Sequence, residues 1–287
     1  MRSVFSSESI LPIPSGLKFE WIRQRPGEDG GEFLLIGKSE RYYLVRYAGI
    51  ADYIIDLEAG SINWSPHSSS EEDSDSGFHL GKNQVIPMIL STQNQLVLHA
   101  SAVRLPSGAA IAFSGPSGFG KSTLANAIAR KPDVEHFADD WITVSQSSES
   151  AEASAYEEEV ISAMEQPIEP CEPSPVSEGS SSLKFSIDDL AAFKLPHCPL
   201  ERIYLISPET YGGRITTRPM KAKEAYVSLA RNLFRLDSTD RNHLAKEVKL
   251  LSLLLNKIPI FSLSYPRRKR DIPALVRHIL DDQPQDN

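Results

Sequence analysis

Residues 115–122 carry a pattern that can bind phosphate. The run reads GPSGFGKS and fits G-x-x-x-x-G-K-[ST]. Glycines in such a loop let backbone N–H groups converge on phosphate oxygens, while Lys121 supplies a positive charge and Ser122 a hydroxyl for Mg²⁺. The pattern therefore predicts a site for the phosphates of a nucleotide. Its predicted contact residues are Gly115, Pro116, Ser117, Gly118, Phe119, Gly120, Lys121, Ser122 and Thr123.

Two adjacent aspartates, Asp139 and Asp140, follow this loop by one predicted helix and one predicted strand. Phosphoryl-transfer proteins with such a loop place a carboxylate for Mg²⁺ at this position. Neighbouring residues at a strand end point to different sides, so one aspartate can hold the metal while the other orients the acceptor or takes its proton. A helix cap or a turn is the structural alternative for the pair.

His99 is the third candidate. It lies between the short apolar runs 96–98 and 102–103, and residues 105–108 then turn the chain into the strand before the phosphate loop. A hairpin of this kind brings His99 to the same end of the sheet as the nucleotide. The alternative is a partly buried histidine without a role in chemistry.

The elements around these residues predict a mixed α/β fold. Residues 109–114 form an apolar run typical of a buried strand, and residues 123–130 follow as a helix. Strands are predicted at 134–138 and 141–144. Further downstream we expect strands at 202–207, 215–217 and 258–263, and helices at 223–236, 243–255 and 272–280.

The N-terminal part has a different pattern. Residues 17–64 alternate short apolar and polar runs punctuated by glycines, which predicts a small antiparallel sheet. Residues 82–92 predict a helix with Val85, Ile86, Ile89 and Leu90 on one face, interrupted by Pro87. We therefore expect a small β-rich region at 1–80 and a phosphate-loop domain at 81–287.

Two tracts rich in serine and acidic residues interrupt these regions. The first is an acidic loop at 66–77, and the second is a Ser/Glu/Pro-rich insertion at about 145–182. Acidic tracts with few aromatic residues bury too little apolar surface to offset the entropy of ordering, so we expect both to be mobile surface segments.

Composition excludes several classes of function. The chain has 287 residues and a formal net charge of -8, which argues against nucleic acid as a general partner. No run reaches the ~18 apolar residues of a membrane helix and no signal peptide is evident, so we expect no membrane partner and a cytoplasmic location. Cys171 and Cys198 lie in unlike settings and predict neither a disulfide nor a zinc site.

Basic residues occur in two further clusters. One follows the Gly212-Gly213 pair and comprises Arg214, Arg218, Lys221 and Lys223. We interpret each of them singly as part of a solvated basic turn and helix start; the alternative is that one of them neutralises charge on a transferring phosphoryl group. The other is the run PRRKR at 266–270, which we interpret as a charged surface loop that attracts an acidic peptide or phosphate.

Taken together, the motifs resemble a known family. Leu98-His99-Ala100, the loop from Gly115 to Thr123, and Ala138-Asp139-Asp140 are similar to the catalytic half of HPr kinase/phosphorylase, whose fold is similar to that of phosphoenolpyruvate carboxykinase. The resemblance is best over residues 95–144. It implies a mixed sheet with flanking helices, ATP and Mg²⁺ as cofactors, and Lys121 with the loop glycines on the β- and γ-phosphates.

The same resemblance implies roles for the remaining candidates. Asp139 would be the catalytic base, Ser122 and Asp140 would lie on the metal, and His99 would lie beside the transferred phosphate. The two aspartate roles can be exchanged. Relatives of this kind commonly form oligomers, so the resemblance also allows for a homo-oligomer.

The chain departs from the bifunctional members because it lacks their glycine-rich segment with a Glu-Val-Arg-like run upstream. It is closer to shorter HPr-kinase-like proteins, some of which act in peptide-modification pathways, including lasso-peptide clusters in which a kinase phosphorylates the precursor peptide. The resemblance thus implies transfer of the γ-phosphoryl to a serine-type hydroxyl on a peptide or protein. A small-molecule hydroxyl kinase and a nucleotide-gated regulatory module without transferase activity are the alternatives.

Overall fold

The computed structural model describes residues 17–26, 32–68, 71–93, 95–146, 151–154, 183–186, 197–207, 213–266 and 268–281. The protein is mixed α/β and divides into two units. Of the described residues, the first unit contains those up to Ile89, residues 183–186 and Leu236–Asp240, and the second contains the rest. This structural division falls at Ile89, whereas the sequence pattern changes near residue 80.

The first unit is built on an antiparallel sheet, as the alternating pattern of residues 17–64 predicts. Its strands are β1 (Glu20–Pro26), β2 (Glu32–Lys38), β3 (Tyr42–Tyr47), β4 (Ala51–Asp56), β5 (Ser61–Pro66) and β12 (Leu183–Ser186). They are hydrogen-bonded in the order β1-β2-β3-β4-β5-β12. Tyr53, Ile55 and Trp64 are among the buried side chains of this sheet.

Helical residues follow β5, where the sequence pattern predicts an acidic loop at 66–77. Helix α1 (Glu71–Leu80) continues through a π-helical turn at Gly81–Val85 into α2 (Ile86–Ser91). The loop prediction is therefore wrong from Glu71 onward, because the helix is tied to the sheet: the Tyr53 hydroxyl donates to the Gly77 carbonyl oxygen. Phe78, Val85 and Ile86 also line one cavity together with Tyr53 and Trp64. The π-helical turn comes just before Pro87, which has no N–H to donate.

The second unit contains a nine-stranded mixed sheet and four α-helices within the described ranges. Its strands are β6 (Leu96–Leu98), β7 (Ala100–Arg104), β8 (Ala110–Ser114), β9 (Glu135–Ala138), β10 (Ile142–Gln146), β11 (Ala151–Ser154), β13 (His197–Ile206), β14 (Thr216–Pro219) and β15 (Ile260–Ser264). Its helices are α3 (Lys121–Ile128), α4 (Ala222–Ala230), α5 (Arg241–Lys257) and α6 (Ile272–Asp281), the last preceded by a 3₁₀ turn at Lys269–Asp271.

Strand directions determine which residues meet. Strands β8, β13 and β15 are parallel, whereas β7 is antiparallel to β8 and β9 is antiparallel to β7. The end of β8, the start of β7 and the end of β9 therefore share one edge of the sheet, as the pairings Ala100 with Ser114 and Ala102 with Ala138 show. We call this edge, where β13 and β15 also end, the carboxyl edge.

Alternation along β8 explains how helices cover both faces of this sheet. Ile111 and Phe113 belong to the same apolar cluster as Leu124 of α3 and Leu275 of α6. Ala110 and Ala112 instead face the cluster that contains residues of α4 and α5. A strand that is apolar on both faces is typical of a sheet covered on both sides, and this packing places α3 directly after β8.

The acidic insertion at 145–182 is shorter than predicted at its start. Strand β10 continues to Gln146, and β11 follows at Ala151–Ser154 because Ala151 and Ala153 alternate into the core. Residues 155–182 lie outside the described residues, as does Cys171. Cys198 is buried, and its burial raises the pKa of its thiol.

The C-terminal elements lie near their predicted positions, with one notable difference. Helix α4 ends at Ala230, although the sequence predicts a helix to residue 236. Beyond it the chain runs beside β6, where Leu233 forms a bridge with Leu98 and the Phe234 N–H donates to the Val97 carbonyl. Pairing with a strand there replaces the last predicted helical turn.

Candidate active site

The loop from Gly115 to Ser122, which we call the glycine loop, joins β8 to α3 at the carboxyl edge. Gly115 has φ of 151°, and a Cβ atom there would lie 3.2 Å from the Ile206 carbonyl oxygen. Gly120 has φ of 87°, and a Cβ atom there would lie 2.8 Å from the Tyr265 hydroxyl. Both positions therefore require glycine, so the loop backbone is fixed by its own conformation and by its neighbours.

Helix α3 begins inside the pattern, at Lys121. The first N–H groups of an α-helix have no partner within the helix, and the helix dipole places partial positive charge at this end. Gly120 precedes the helix without a capping side chain. The start of α3 is therefore suited to bind an anion. Among the other loop residues, Pro116, Ser117, Gly118 and the following Thr123 are exposed, and Phe119 is half-buried.

Lys121 points back into the glycine loop. Its side chain is largely enclosed, with the residue 5% exposed, and Nζ donates to the carbonyl oxygens of Gly115 at 3.0 Å and Pro116 at 3.1 Å. Burial lowers the pKa of Lys121, while the negative charges of Asp140 and Asp139 oppose that shift. An ammonium group is thus held where the loop surrounds it and where two carboxylates influence its charge.

Asp139 is tied to the glycine loop through Ser101. The Ser101 hydroxyl donates to Asp139 Oδ1 at 2.6 Å and lies 3.4 Å from the Ser122 hydroxyl oxygen. Burial would raise the pKa of Asp139, but hydrogen bonds from Ser101, Ser122 and the Asp140 N–H outweigh it, and the pKa lies below its usual value. Asp139 is therefore held as a carboxylate beside Ser122.

Asp140 follows in a left-handed conformation, with φ of 62°. Its N–H donates to Asp139 Oδ1 at 3.0 Å, and the Trp141 N–H donates to the Asp139 carbonyl oxygen at 2.7 Å. This tight turn directs the two carboxylates differently. The charge of Asp140 acts on Lys121 more strongly than that of Asp139, whereas Asp139 has the hydrogen bonds to Ser101 and Ser122.

Ser122 and Asp139 offer hard oxygen atoms of the kind that Mg²⁺ prefers, and the short link through Ser101 holds them close together. Mg²⁺ commonly takes one or two protein oxygens together with substrate phosphates and water. Within the part of the chain that the structure describes, no group of three or more His, Cys, Asp or Glu side chains forms a metal cluster. The donor set suits a metal that arrives with a nucleotide.

His99 is half-buried between β6 and β7, at the carboxyl edge. The backbone N–H of His99 donates to the Asn232 carbonyl oxygen at 2.8 Å, and the imidazole ring packs edge-on against the Phe234 ring with centroids 5.8 Å apart. Burial, and then the charge of Lys121, lower the pKa of His99 to about 4, although the charge of Asp139 opposes this shift. The imidazole is therefore neutral near pH 7 and can exchange hydrogen bonds without carrying charge.

The comparisons with known proteins identify no family for the chain. No family model matches the sequence, and no curated protein matches it. The solved structure of the HPr(Ser) kinase/phosphatase from Coxiella burnetii is similar over 65% of this chain and 88% of that chain, with 12% sequence identity and a TM-score of 0.32. A likeness at that level carries no weight for activity, which has to be inferred from the site.

Among the helices in the described ranges, none combines the length and the apolar content needed to cross a lipid bilayer.

Two residues of the site carry no recognisable motif in the sequence. Ser101 is the link between Asp139 and Ser122, and Tyr265 donates from its hydroxyl to the Phe119 carbonyl oxygen at 3.2 Å. The only available signal for Ser101 is a lone hydroxyl among the small apolar residues that follow His99. Tyr265 is more than 140 residues downstream of the loop it contacts, and only the parallel pairing of β15 with β13 and of β13 with β8 brings it there.

Replacement of Ser101 by alanine is expected to weaken metal binding. The substitution removes the donor to Asp139 Oδ1 and the neighbour of Ser122, so the carboxylate loses its orientation and its pKa rises. For the metal site that the sequence predicts, we expect the Mg²⁺ requirement of nucleotide binding to rise about tenfold, and Mn²⁺ binding in the presence of nucleotide, measured by electron paramagnetic resonance, to weaken in parallel.

Ser107→Ala is the matched control, because Ser107 is exposed in the turn between β7 and β8, at the opposite end of the hairpin. An unchanged Mg²⁺ requirement in Ser101→Ala would contradict a role for Ser101 in positioning the carboxylate.

The low pKa of His99 predicts a pH effect on stability. In the unfolded chain the imidazole takes up a proton near pH 6.5, but in the folded protein it does so only near pH 4. Proton uptake therefore favours the unfolded state, and the free energy of unfolding falls as the pH is lowered from 6.5 to 4. Urea denaturation across this range should show a smaller fall for His99→Gln than for the parent.

His136→Gln, at an exposed position on β9, is the control for loss of a histidine. Parallel pH profiles for the parent and His99→Gln would show that the folded protein accommodates the charged imidazole.

Proposed function

We propose that the protein is an ATP- and Mg²⁺-dependent phosphotransferase that transfers the γ-phosphoryl group to a serine-type hydroxyl of a peptide or protein. The observation that carries the proposal is the hydrogen-bonded link from Asp139 through Ser101 to Ser122, formed beside an enclosed Lys121 at the start of α3. A strand, a glycine loop and a helix are common, but this arrangement also supplies a carboxylate where a nucleotide-bound metal requires one.

Binding of the nucleotide is assigned to the glycine loop. The N–H groups at the start of α3 would receive the β- and γ-phosphate oxygens, and Lys121 would exchange its two carbonyl partners for phosphate oxygens. Mg²⁺, when bound there, would offset the charge that develops during transfer. In this scheme Ser122 and one aspartate provide its protein ligands.

The family resemblance suggests Asp139 as the catalytic base and Asp140 as the metal ligand. The hydrogen bonds of Asp139 support the opposite order. Asp139 is linked to Ser122, which makes it the better metal-side carboxylate. Asp140 lies next in the turn and acts more strongly on Lys121, so its carboxylate is the better candidate to face the acceptor. We therefore assign the metal to Asp139 and the proton to Asp140.

Transfer then follows from alignment and charge. The acceptor oxygen attacks the γ-phosphorus, its proton passes to the Asp140 carboxylate, and the bond between the γ-phosphorus and the bridging oxygen breaks to release ADP. Neutral His99, at the same edge, can donate a hydrogen bond to the transferring group without adding charge. Lys121 neutralises the phosphate that leaves with ADP.

The test is transfer of label from γ-³²P-ATP. Purified protein is incubated with Mg²⁺, labelled ATP and a peptide array in which each serine peptide has an alanine twin, and parallel reactions contain small hydroxyl compounds in place of the array. Label on serine peptides and not on their twins supports the proposal. Label confined to small hydroxyl compounds indicates a metabolite kinase, and Mg-ATP binding without any transfer indicates a nucleotide-gated module. No heat on calorimetric titration with Mg-ATP would rule out the nucleotide site itself.

A further inference from the structure

Exposed basic residues follow β15 where it reaches the carboxyl edge. The strand ends at Ser264, and after Tyr265 and Pro266 the chain presents Arg268, Lys269 and Arg270, all exposed, before α6 begins. Consecutive positive charges are notable in a protein whose formal net charge is -8. They lie at the end of the strand nearest the candidate active site.

Tyr265 fixes the start of this segment against the glycine loop. The residue is 8% exposed, and its hydroxyl donates to the Phe119 carbonyl oxygen at 3.2 Å. The same hydroxyl lies 2.8 Å from the position that a Cβ atom on Gly120 would occupy. The basic segment therefore begins in direct contact with the loop that we assign to the phosphates.

Arg214 adds a fourth charge just before the neighbouring strand. Strand β14 is antiparallel to β15, and its first residue, Thr216, pairs with Ser264. Arg214 lies two residues before Thr216 and is exposed, so it also extends from the carboxyl edge. We call Arg214, Arg268, Lys269 and Arg270 the basic rim.

The basic rim is little neutralised by the protein. Within the described ranges its only ion pair is between Arg270 Nε and Asp271 Oδ1 at 3.9 Å, at the outer limit for such a contact. The acidic residues assigned above to the metal and the acceptor, Asp139 and Asp140, lie at the same edge and would repel an anionic substrate. Rim charges can compensate for that repulsion.

The other basic cluster differs in position and in pairing. Arg218 pairs with Ser262 in the β14–β15 register, and Lys221 and Lys223 follow β14 at its far end, away from the carboxyl edge. Arg218 is also neutralised by Glu224, with Nη2 2.5 Å from Oε1 and Nη1 3.1 Å from Oε2. These three residues therefore serve as an internal control with as many charges as Arg268, Lys269 and Arg270.

We propose that the basic rim docks an acidic peptide, so that the phosphoacceptor is a serine flanked by glutamate or aspartate. The choice of serine as the acceptor rests on the proposed function, whereas docking of the acidic flanks does not. Exposed guanidinium and ammonium groups beside a site that holds two carboxylates complement an acidic segment and disfavour a basic one.

Binding of two labelled peptides tests the proposal. The probes are a fluorescein-labelled peptide with the core Glu-Glu-Ser-Glu-Glu and a twin in which glutamine replaces each glutamate. At low salt, about 50 mM, we expect fluorescence anisotropy to show about tenfold tighter binding of the acidic peptide. The variant with Arg268→Gln, Lys269→Gln and Arg270→Gln should lose about tenfold in affinity for that peptide.

The control variant carries Arg218→Gln, Lys221→Gln and Lys223→Gln and should bind the acidic peptide like the parent. Calorimetry with Mg-ATP should give equal affinities for all three proteins. Equal loss in both variants, equal binding of the two peptides, or weaker Mg-ATP binding in the rim variant would overturn the proposal. So would tighter, rim-dependent binding of a labelled oligonucleotide of the same net charge.

The peptide-binding assay and the label-transfer assay together distinguish the docking surface from the proposed phosphotransferase activity. Rim-dependent binding of the acidic peptide without any transfer of label supports the docking surface and rejects the proposed phosphotransferase. Transfer of label at equal rates to the acidic peptide and its glutamine twin supports the phosphotransferase and rejects the docking surface.

Discussion

Replacement of Lys121 by alanine should reduce ATP turnover about a thousandfold. Lys121 is the only residue of the glycine loop with a positively charged side chain. Its Nζ lies inside the loop, against the Gly115 and Pro116 carbonyl oxygens. Without it the glycine loop would have only N–H groups to offset, together with Mg²⁺, the charge of the β- and γ-phosphates. A coupled assay for ADP release, with calorimetric titration of Mg-ATP, measures both the rate and the affinity.

Two further variants make the result interpretable. Lys131→Ala removes an exposed lysine just beyond the end of α3 and should leave turnover unchanged. Lys121→Met keeps the buried aliphatic stem but removes the charge, so it should lose as much activity as Lys121→Ala while keeping thermal stability closer to the parent. Turnover within a few-fold of the parent in Lys121→Ala would rule out the glycine loop as the site of the phosphates.

The glycine loop could be predicted from sequence because its constraints are local. An apolar strand, a glycine-rich turn and an amphipathic helix each leave a signal within about ten residues, and their order determines the loop. The structure also places a strand at Ala110–Ser114 and a helix at Lys121–Ile128. Only the contacts that fix Gly115 and Gly120, made by Ile206 and Tyr265, come from distant segments.

The positions of His99 and of the aspartate pair at the edge of the sheet could be predicted from sequence for a related reason. A hairpin reverses the chain, so the start of β7 and the end of β8 share an edge, and β9 returns to the same edge by pairing with β7. The role of Ser101 could not be predicted from sequence, because 38 positions separate it from Asp139 and a single serine in a strand gives no pattern. The hydrogen bonds that distinguish Asp139 from Asp140 depend on that residue.

Composition misled at the acidic tracts for a physical reason. A segment rich in serine and glutamate predicts a loop only if no apolar anchor follows it. Gly77 supplies such an anchor, since its carbonyl oxygen accepts from the Tyr53 hydroxyl and a Cβ atom on Gly77 would lie 2.6 Å from the Trp64 ring; Phe78 lines one cavity with Tyr53 and Trp64. Tertiary packing thus overrides a weak local preference for a loop, as it also does where Ala151 and Ala153 enter the core.

Asp139→Asn is expected to retain nucleotide binding and to lose 10²- to 10⁴-fold in transfer, a range set by loss of a metal ligand or of a catalytic base. The amide cannot replace the carboxylate that Ser101 and Ser122 hold in its charged form. Because we assign Asp139 to the metal, the lost activity should be partly restored by raising Mg²⁺, as measured by transfer from γ-³²P-ATP across a Mg²⁺ titration.

Asp140→Asn should lose a similar factor that no Mg²⁺ concentration restores, because it lacks the proton acceptor. Asparagine also tolerates the left-handed conformation at position 140, so backbone strain does not confound the comparison.

Asp133→Asn, at an exposed position with the same φ of 62°, is the control and should behave like the parent. Rescue by Mg²⁺ in Asp140→Asn and not in Asp139→Asn would return the roles to the order that the family resemblance suggests, whereas transfer at the parental rate in both would exclude the pair from the reaction.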